Sequence, residues 1–246
     1  MTPIAASHPG KLGDALYSLP FIRYLANSTG FPVDYYTSTY CEPMRKLMEY
    51  QSCVNSFTVL EDFVIERYDI GCQPWLMPIP DKYSKVYHCG FRNVPDRMLH
   101  QYIAAIHGIY EPLAIEYEYP TLTEPLSNEN YIVIAPRGQT SFRQLFNEIA
   151  ENYNTVVIGG KDEYTGRGRD CTGLDMLDTL SILSKAKGFI GLMSSQLVLA
   201  NGFDIPRIGL NGVWSDMRHA INTARNIYPK EPEKITLADI KFMLDN

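Results

Sequence analysis

The chain has 246 residues, 45% of them hydrophobic and 20% charged, with a formal net charge of −6. This is the composition of a soluble globular protein with enough chain for one large or two small domains. The acidic balance argues against a nucleic-acid binder, which would show a basic face, but leaves room for a local basic pocket for phosphate.

The N-terminal MTPIAAS lacks the charged and apolar regions of a signal peptide, so a cytoplasmic location is expected. PIAAS (3–7) reads as a buried strand and Ala15 to Ala26 as a helix, with Leu16, Leu19, Ile22 and Leu25 on one face and a kink at Pro20. PVDYYT (32–37) alternates like a strand, and Pro43 to Tyr50 reads as a helix with Pro43 in its first turn. VNSFTVL (54–60) and KVYHC (85–89) are further strands. Residues 97–108 form a helix capped by Asp96. The stretch 116–130, with two prolines and no periodicity, is the best linker.

The pattern then restarts. YIVIAP (131–136) is a strand, and Ser141 with Gln144 marks the start of a helix running to about Asn152. TVVIGG (155–160) is a strand, and Asp175 with Asp178 opens a helix through Lys185. GFIGL (188–192) is a strand followed by a short helix from Ser195. IPRIGL (205–210) is another strand, and Thr236 with Asp239 opens the last helix. Alternating strands and helices predict parallel sheets covered on both faces. The restart predicts two such units, 1–120 and 131–246, joined by a linker at 121–130, with a ligand cleft between them. No apolar run reaches the roughly 18 residues of a membrane span. The five cysteines, at 41, 53, 72, 89 and 171, make no CxxC pair and are expected to be reduced and mostly buried.

Four segments can carry chemistry. GKLGDALYS offers a tight turn with Lys11, Gly13 and Asp14, the last placed where a helix dipole stabilises its anion; the alternative is that Asp14 merely caps that helix. GLMSSQLVLANGFDIP (191–206) ends a strand in small hydroxyl residues before a helix, a geometry whose unpaired N–H groups suit phosphate, unless Ser194 or Ser195 simply caps. APRGQTSFRQL (135–145) puts Arg137, Thr140, Ser141 and Arg143 in one turn after a strand. Arg143 sits where the dipole disfavours a cation, as it would if it served an anion; a solvated surface arginine is the alternative. VVIGGKDE (156–163) has Gly159 and Gly160 for a sharp turn, then Asp162 and Glu163, which can accept from ribose hydroxyls or belong to a plain polar loop. His88, at a strand end, can face the cleft but has no spaced partner for a metal.

Together, GKLGDALYSLPFIRYLA, VVIGGKDE and LSILSKAKGFIGLMSSQLVLANGFDIPRI resemble the family 9 glycosyltransferases, such as ADP-heptose:lipopolysaccharide heptosyltransferases. The resemblance implies a GT-B fold, two Rossmann-like domains facing across a cleft. Residues 1–120 would be the acceptor side and 131–246 the donor side. It implies metal-independent, inverting transfer of a sugar from a nucleoside-diphosphate sugar to a glycan or other hydroxyl acceptor, with no cofactor. Asp14 would be the general base. Ser194, Ser195 and Gln196 would meet the diphosphate, with Arg143 as the phosphate-binding cation and Arg137 and Ser141 beside it. Gly160, Asp162 and Glu163 would contact the donor ribose, and Lys11, Gly13 and His88 would line the acceptor side. Two positions depart from the family's pattern: Met193 replaces an Asp and Val198 a His, both on the donor side. A relative that binds a nucleotide or sugar without transferring it is therefore the second reading. A sugar transferase acting on DNA is the third, and the acidic charge weighs against it.

Overall fold

A computed structural model describes residues 3–60, 77–90, 97–120, 130–136, 142–164, 166–192, 194–210, 226–227 and 235–245. The chain forms two compact units, Met1–Pro120 and Thr121–Asn246.

In the first unit, β1 (Ile4–His8), β2 (Val33–Ser38), β3 (Val54–Leu60) and β4 (Lys85–His88) form a parallel sheet in the order β3-β2-β1-β4. β2 was expected to alternate, but all six of its residues are buried, because both faces of the sheet are covered. Tyr36, Ala5 and Met77 pack on one face together with Leu60, Ile79, Tyr83 and Val86. The expected helix 15–26 is two helices, α1 (Leu12–Leu16) and α2 (Leu19–Thr29). Proline has no N–H to continue the ladder, so the helix breaks at Tyr17–Ser18. Pro20 then falls in the first turn of α2, where a missing N–H costs nothing. Gly30 closes α2 in the left-handed conformation.

The segment expected as one helix from Pro43 is a 3-10 turn (Thr39–Met44) running into α3 (Arg45–Met48). α4 covers Leu99–Ala105, with Met98 at its N-cap position; Asp96, the expected cap, lies outside the described residues. The start of the expected linker is tied down. Gln51 Nε2 donates to the Glu118 carbonyl at 2.6 Å, Glu118 accepts from the Ser52 N–H and hydroxyl at 3.0 and 2.8 Å, and Arg23 pairs with both Glu116 and Glu118.

In the second unit, β5 (Ile132–Ala135), β6 (Thr155–Gly159), β7 (Arg169–Thr172), β8 (Gly188–Leu192), β9 (Arg207–Leu210) and β10 (Asn226–Ile227) form a parallel sheet ordered β10-β9-β8-β5-β6-β7. α5 (Arg143–Asn152) and α8 (Leu237–Asp245) cover one face, burying Phe146, Ile149 and Ile240 against Ile132, Ile134, Ile190, Leu192, Ile208 and Leu210. α6 (Met176–Ser184) is capped by Asp175, whose carboxylate accepts from the Leu177 and Asp178 N–H groups at 3.0 Å. The Thr236–Asp239 pair closes on itself as expected, Asp239 accepting from the Thr236 N–H at 2.7 Å. α5 starts without a side-chain cap at Phe142, and Ser141 lies outside the described residues. The unforeseen strand β7 reads RDCT. It is an edge strand with two exposed residues, so it carries no apolar pattern to betray it.

Each sheet has a buried charged anchor at the N-terminal end of one of its strands. Asp34 of β2 is buried and accepts from Asn55, Ser56 and Tyr83 at 2.6, 2.7 and 2.7 Å, with Lys82 at 3.9 Å. Burial alone would raise its pKa; the three hydrogen bonds and the lysine outweigh this and hold it below the usual value. In the second sheet, buried Arg207 donates to the Ala200 carbonyl at 3.0 Å and also to that of Phe203, at the end of helix α7 (Ser195–Ala200).

Because the folded-state pKa of Asp34 is depressed, its contribution is complete above the unfolded aspartate value and is lost as pH falls through the folded one. Asp34→Ala is expected to cost about 3 kcal/mol at pH 7. Urea titrations from pH 7 down to 2 should show stability declining below about 4 in the wild type, with a shallower decline in Asp34→Asn.

Candidate functional site

Numbered within each unit, the first sheet runs 3-2-1-4 and the second 3-2-1-4-5-6, the order of dinucleotide-binding sheets. In both, the chain reverses its direction of travel between the first strand and the fourth. In sheets of this order, ligands bind at that point, beyond the carboxyl ends of the strands. In the first unit that point lies between β1 and β4; in the second it lies between β5 and β8.

β1 ends at His8, and α1 begins at Leu12, so Asp14 lies inside the first helical turn rather than in the preceding loop. The N-cap position belongs to Lys11, whose side chain makes no capping bond. Asp14 is partly buried, and its charge helps raise the pKa of both Tyr35 and Cys41, behind the larger effect of their burial. The short loop before α1 is held from several sides. The Gly10 N–H donates to His8 Nδ1 at 2.9 Å, while the Gly10 carbonyl accepts from Ser38 Oγ at 3.0 Å and Cys41 Sγ at 3.5 Å. Tyr35 OH donates to the Ala15 carbonyl at 3.0 Å. Burial lowers His8 to about 3, so its ring is neutral and Nδ1 can accept.

Between the paired strands β1 and β4, His88 Nδ1 and Ser7 Oγ are 2.8 Å apart, on residues opposite each other in register. His107 Nε2 donates to the His88 carbonyl at 3.1 Å, its ring stacked on Phe21 at 4.8 Å. The expected candidates Asp14, Lys11, Gly13 and His88 thus share one sheet edge. Ser38 and Cys41 were not foreseen; they lie some thirty residues from Gly10 in the chain, and no spacing announces them. A groove of about 410 Å³ elsewhere in this unit, between α2 residues such as Arg23 and Tyr24 and the stretch 112–116, holds none of the expected candidates.

In the second unit, the candidate residues follow β5, β6 and β8 in the chain. Arg143 is exposed at the first position of α5. Ser194 occupies the N-cap position of α7 in extended backbone (φ −156°, ψ 173°) without capping it, and its hydroxyl is buried without a hydrogen-bond partner among the described residues. Ser195 Oγ donates to Gln196 Oε1 at 3.3 Å. Gly191, opposite Ala135 in register, lets β5 and β8 approach, since a Cβ there would stand 2.9 Å from the Ala135 Cβ. After β6, the Gly160 N–H donates to Glu163 Oε2 at 3.0 Å, so that carboxylate braces its own turn; Asp162 beside it is exposed. Val198 is packed inside α7. Arg137, Ser141 and Met193 lie outside the described residues.

No protein-family model and no curated protein matches this sequence. Solved structures do match. TibC, an iron-containing dodecameric glycosyltransferase from enterotoxigenic Escherichia coli, superposes with a TM-score of 0.65 at 17% identity over 92% of this chain and 62% of TibC. A family 9 glycosyl transferase from Veillonella parvula gives 0.67 at 12% identity over 98% and 88% of the two chains. The E. coli ADP-heptose lipopolysaccharide heptosyltransferase II gives 0.67 at 16% over 99% and 97%. The chain has the heptosyltransferase-like fold of glycosyltransferase family 9.

It therefore carries two Rossmann-like, parallel-sheet units of the GT-B type, and it spans less than two thirds of TibC's length. One expectation is corrected. A fold read as working without metal or cofactor includes TibC, which is described as iron-containing. Among the described residues here, no three of His, Cys, Asp and Glu come together as a metal site, so those residues do not fit such an ion. No helix among them is long and apolar enough to cross a membrane.

The brace after β6 is testable. Gly159 has φ +139°, and a Cβ there would run into the Glu163 carboxylate. Gly159→Ala should cost about 1–3 kcal/mol, read as a lowered thermal midpoint. Glu163→Ala, by removing the obstructing carboxylate, should recover part of that loss.

Proposed function

We propose that this protein transfers a sugar from a nucleoside-diphosphate sugar to a hydroxyl acceptor. The observation that carries the reading is positional. Within each unit, the described candidates follow the carboxyl ends of the strands of a Rossmann-like sheet, in a fold seen in heptosyltransferases, and ligands bind beyond those ends in such sheets. The first unit is the acceptor side and the second the donor side.

Asp14 takes the proton from the acceptor hydroxyl as that oxygen attacks the anomeric carbon and the nucleoside diphosphate departs. Asp14 stands in the first turn of α1, after the loop that follows β1. His88 and Lys11 stand at the same edge as groups for the acceptor. On the donor side, the leaving diphosphate takes hydrogen bonds from Ser194, Ser195 and Gln196, and the Arg143 guanidinium offsets its charge, with Arg137 and Ser141 in the same segment. Asp162, two residues after Gly160, is the acceptor for ribose hydroxyls, since Glu163 is occupied locally. TibC has been solved with ADP-D-β-D-heptose, which makes that sugar nucleotide the first donor to try.

Binding without transfer is the second reading. Val198 favours it, because an apolar packed side chain stands where the family's pattern has a histidine.

The test is release of nucleoside diphosphate from ADP-heptose, UDP-glucose and GDP-mannose. One donor should be consumed, and Asp14→Asn should slow that consumption by about 10²–10⁴-fold while leaving nucleotide affinity within about twofold. Arg143→Ala should weaken nucleotide binding by about tenfold, the loss of one charge-assisted contact. Wild-type turnover in Asp14→Asn would remove the base assignment. Tight nucleotide binding with no release from any donor would leave the binding-only reading standing.

A further inference from the structure

We propose that strand β2 is the template that positions Asp14, and that Tyr35, Ser38 and Cys41 are positioning residues acting through the backbone on either side of it. The inference rests on the reading of Asp14 as the base.

A helix of five residues does not hold its own geometry in water, because nucleation costs more than one turn of hydrogen bonds returns. α1 also lacks a side-chain cap at Lys11. Its anchors come from outside. Ser38 and Cys41 fix the Gly10 carbonyl, and Tyr35 fixes the Ala15 carbonyl, so the backbone is gripped on both sides of Asp14 by residues from β2 and the turn that follows it. His8, at the end of β1, holds the other side of the Gly10 peptide. All four side chains are essentially inaccessible to solvent, at 0–1% exposure.

The protonation states match the roles. Burial pushes the Cys41 thiol up to about 12 and Tyr35 also upward, so both keep the proton they donate. The bracket is therefore expected to hold unchanged across the range in which a carboxylate base works. None of these residues needs to touch a substrate. Their effect would be to limit where the Asp14 carboxylate can stand, and a displacement near 1 Å at a reacting group costs about 10²-fold in rate.

The experiment uses the full chain with Tyr35→Phe, Ser38→Ala and the double variant, and Cys41→Ser as the conservative control that keeps a donor. Amide hydrogen exchange over residues 10–16 is read alongside kcat and KM for nucleoside-diphosphate release from the donor consumed fastest. In the double variant, exchange over 10–16 should speed up at least about tenfold while the core strands keep their protection. kcat should fall about 10–100-fold with KM within about twofold, and Cys41→Ser should keep most of the rate. Unchanged exchange over 10–16, or faster exchange everywhere at once, overturns the bracket. So does full kcat in the double variant when Asp14→Asn is inactive, a result that leaves the base standing. If Asp14→Asn turns over normally, the base reading falls and the catalytic part of this proposal falls with it, while exchange alone decides whether β2 holds the turn.

Discussion

Parallel strands cannot be joined by tight turns, and this constraint shapes the whole molecule. Each strand must be followed by a crossover over one face of the sheet before the next can pair. In both units the chain first builds outward on one side of its opening strand, through β2 and β3 or through β6 and β7. It then returns to build on the other side, with β4 or with β8, β9 and β10. In sheets of this order, the reversal is the point where ligands bind.

The two ends of each sheet are built for different purposes. At the N-terminal ends, buried charges are satisfied by partners within the same unit: Asp34 by Asn55, Ser56 and Tyr83, and Arg207 by the carbonyls closing α7. At the C-terminal ends the groups divide: Ser7, His88, Ser38 and Glu163 are hydrogen-bonded within their unit. Arg143 is exposed, and Ser194 occupies a cap position without capping. The first unit adds a refinement. There, Tyr35, Ser38 and Cys41 donate hydrogen bonds to the backbone on either side of Asp14.

Helices, strands and their order were largely legible in the residues. The β-branched runs VNSFTVL and YIVIAP, the glycine pair after TVVI and the Asp175 cap each carry a local physical signal, and each led to the right element. The departures have local reasons as well. Pro20 begins a helix instead of kinking one, and β7, polar and at an edge, has no buried face to write a pattern. The stretch from Glu116 looked like a linker by composition, yet its first residues are bound to Gln51, Ser52 and Arg23 through contacts that no local pattern encodes.

Asp14 was visible as a carboxylate at a strand–helix junction because junction chemistry is local: a few residues set the turn, the helix start and the charge. The sequence by itself therefore determined the alternation of elements, the two-unit plan and most of the candidate residues. Only the tertiary structure decided which strands became neighbours, and with them that Gly10 meets Ser38 and Cys41, that Ser7 meets His88, and that Glu163 serves its own turn. Such contacts depend on strand order and register, which join residues far apart in the chain, and hydrophobic periodicity carries no record of either.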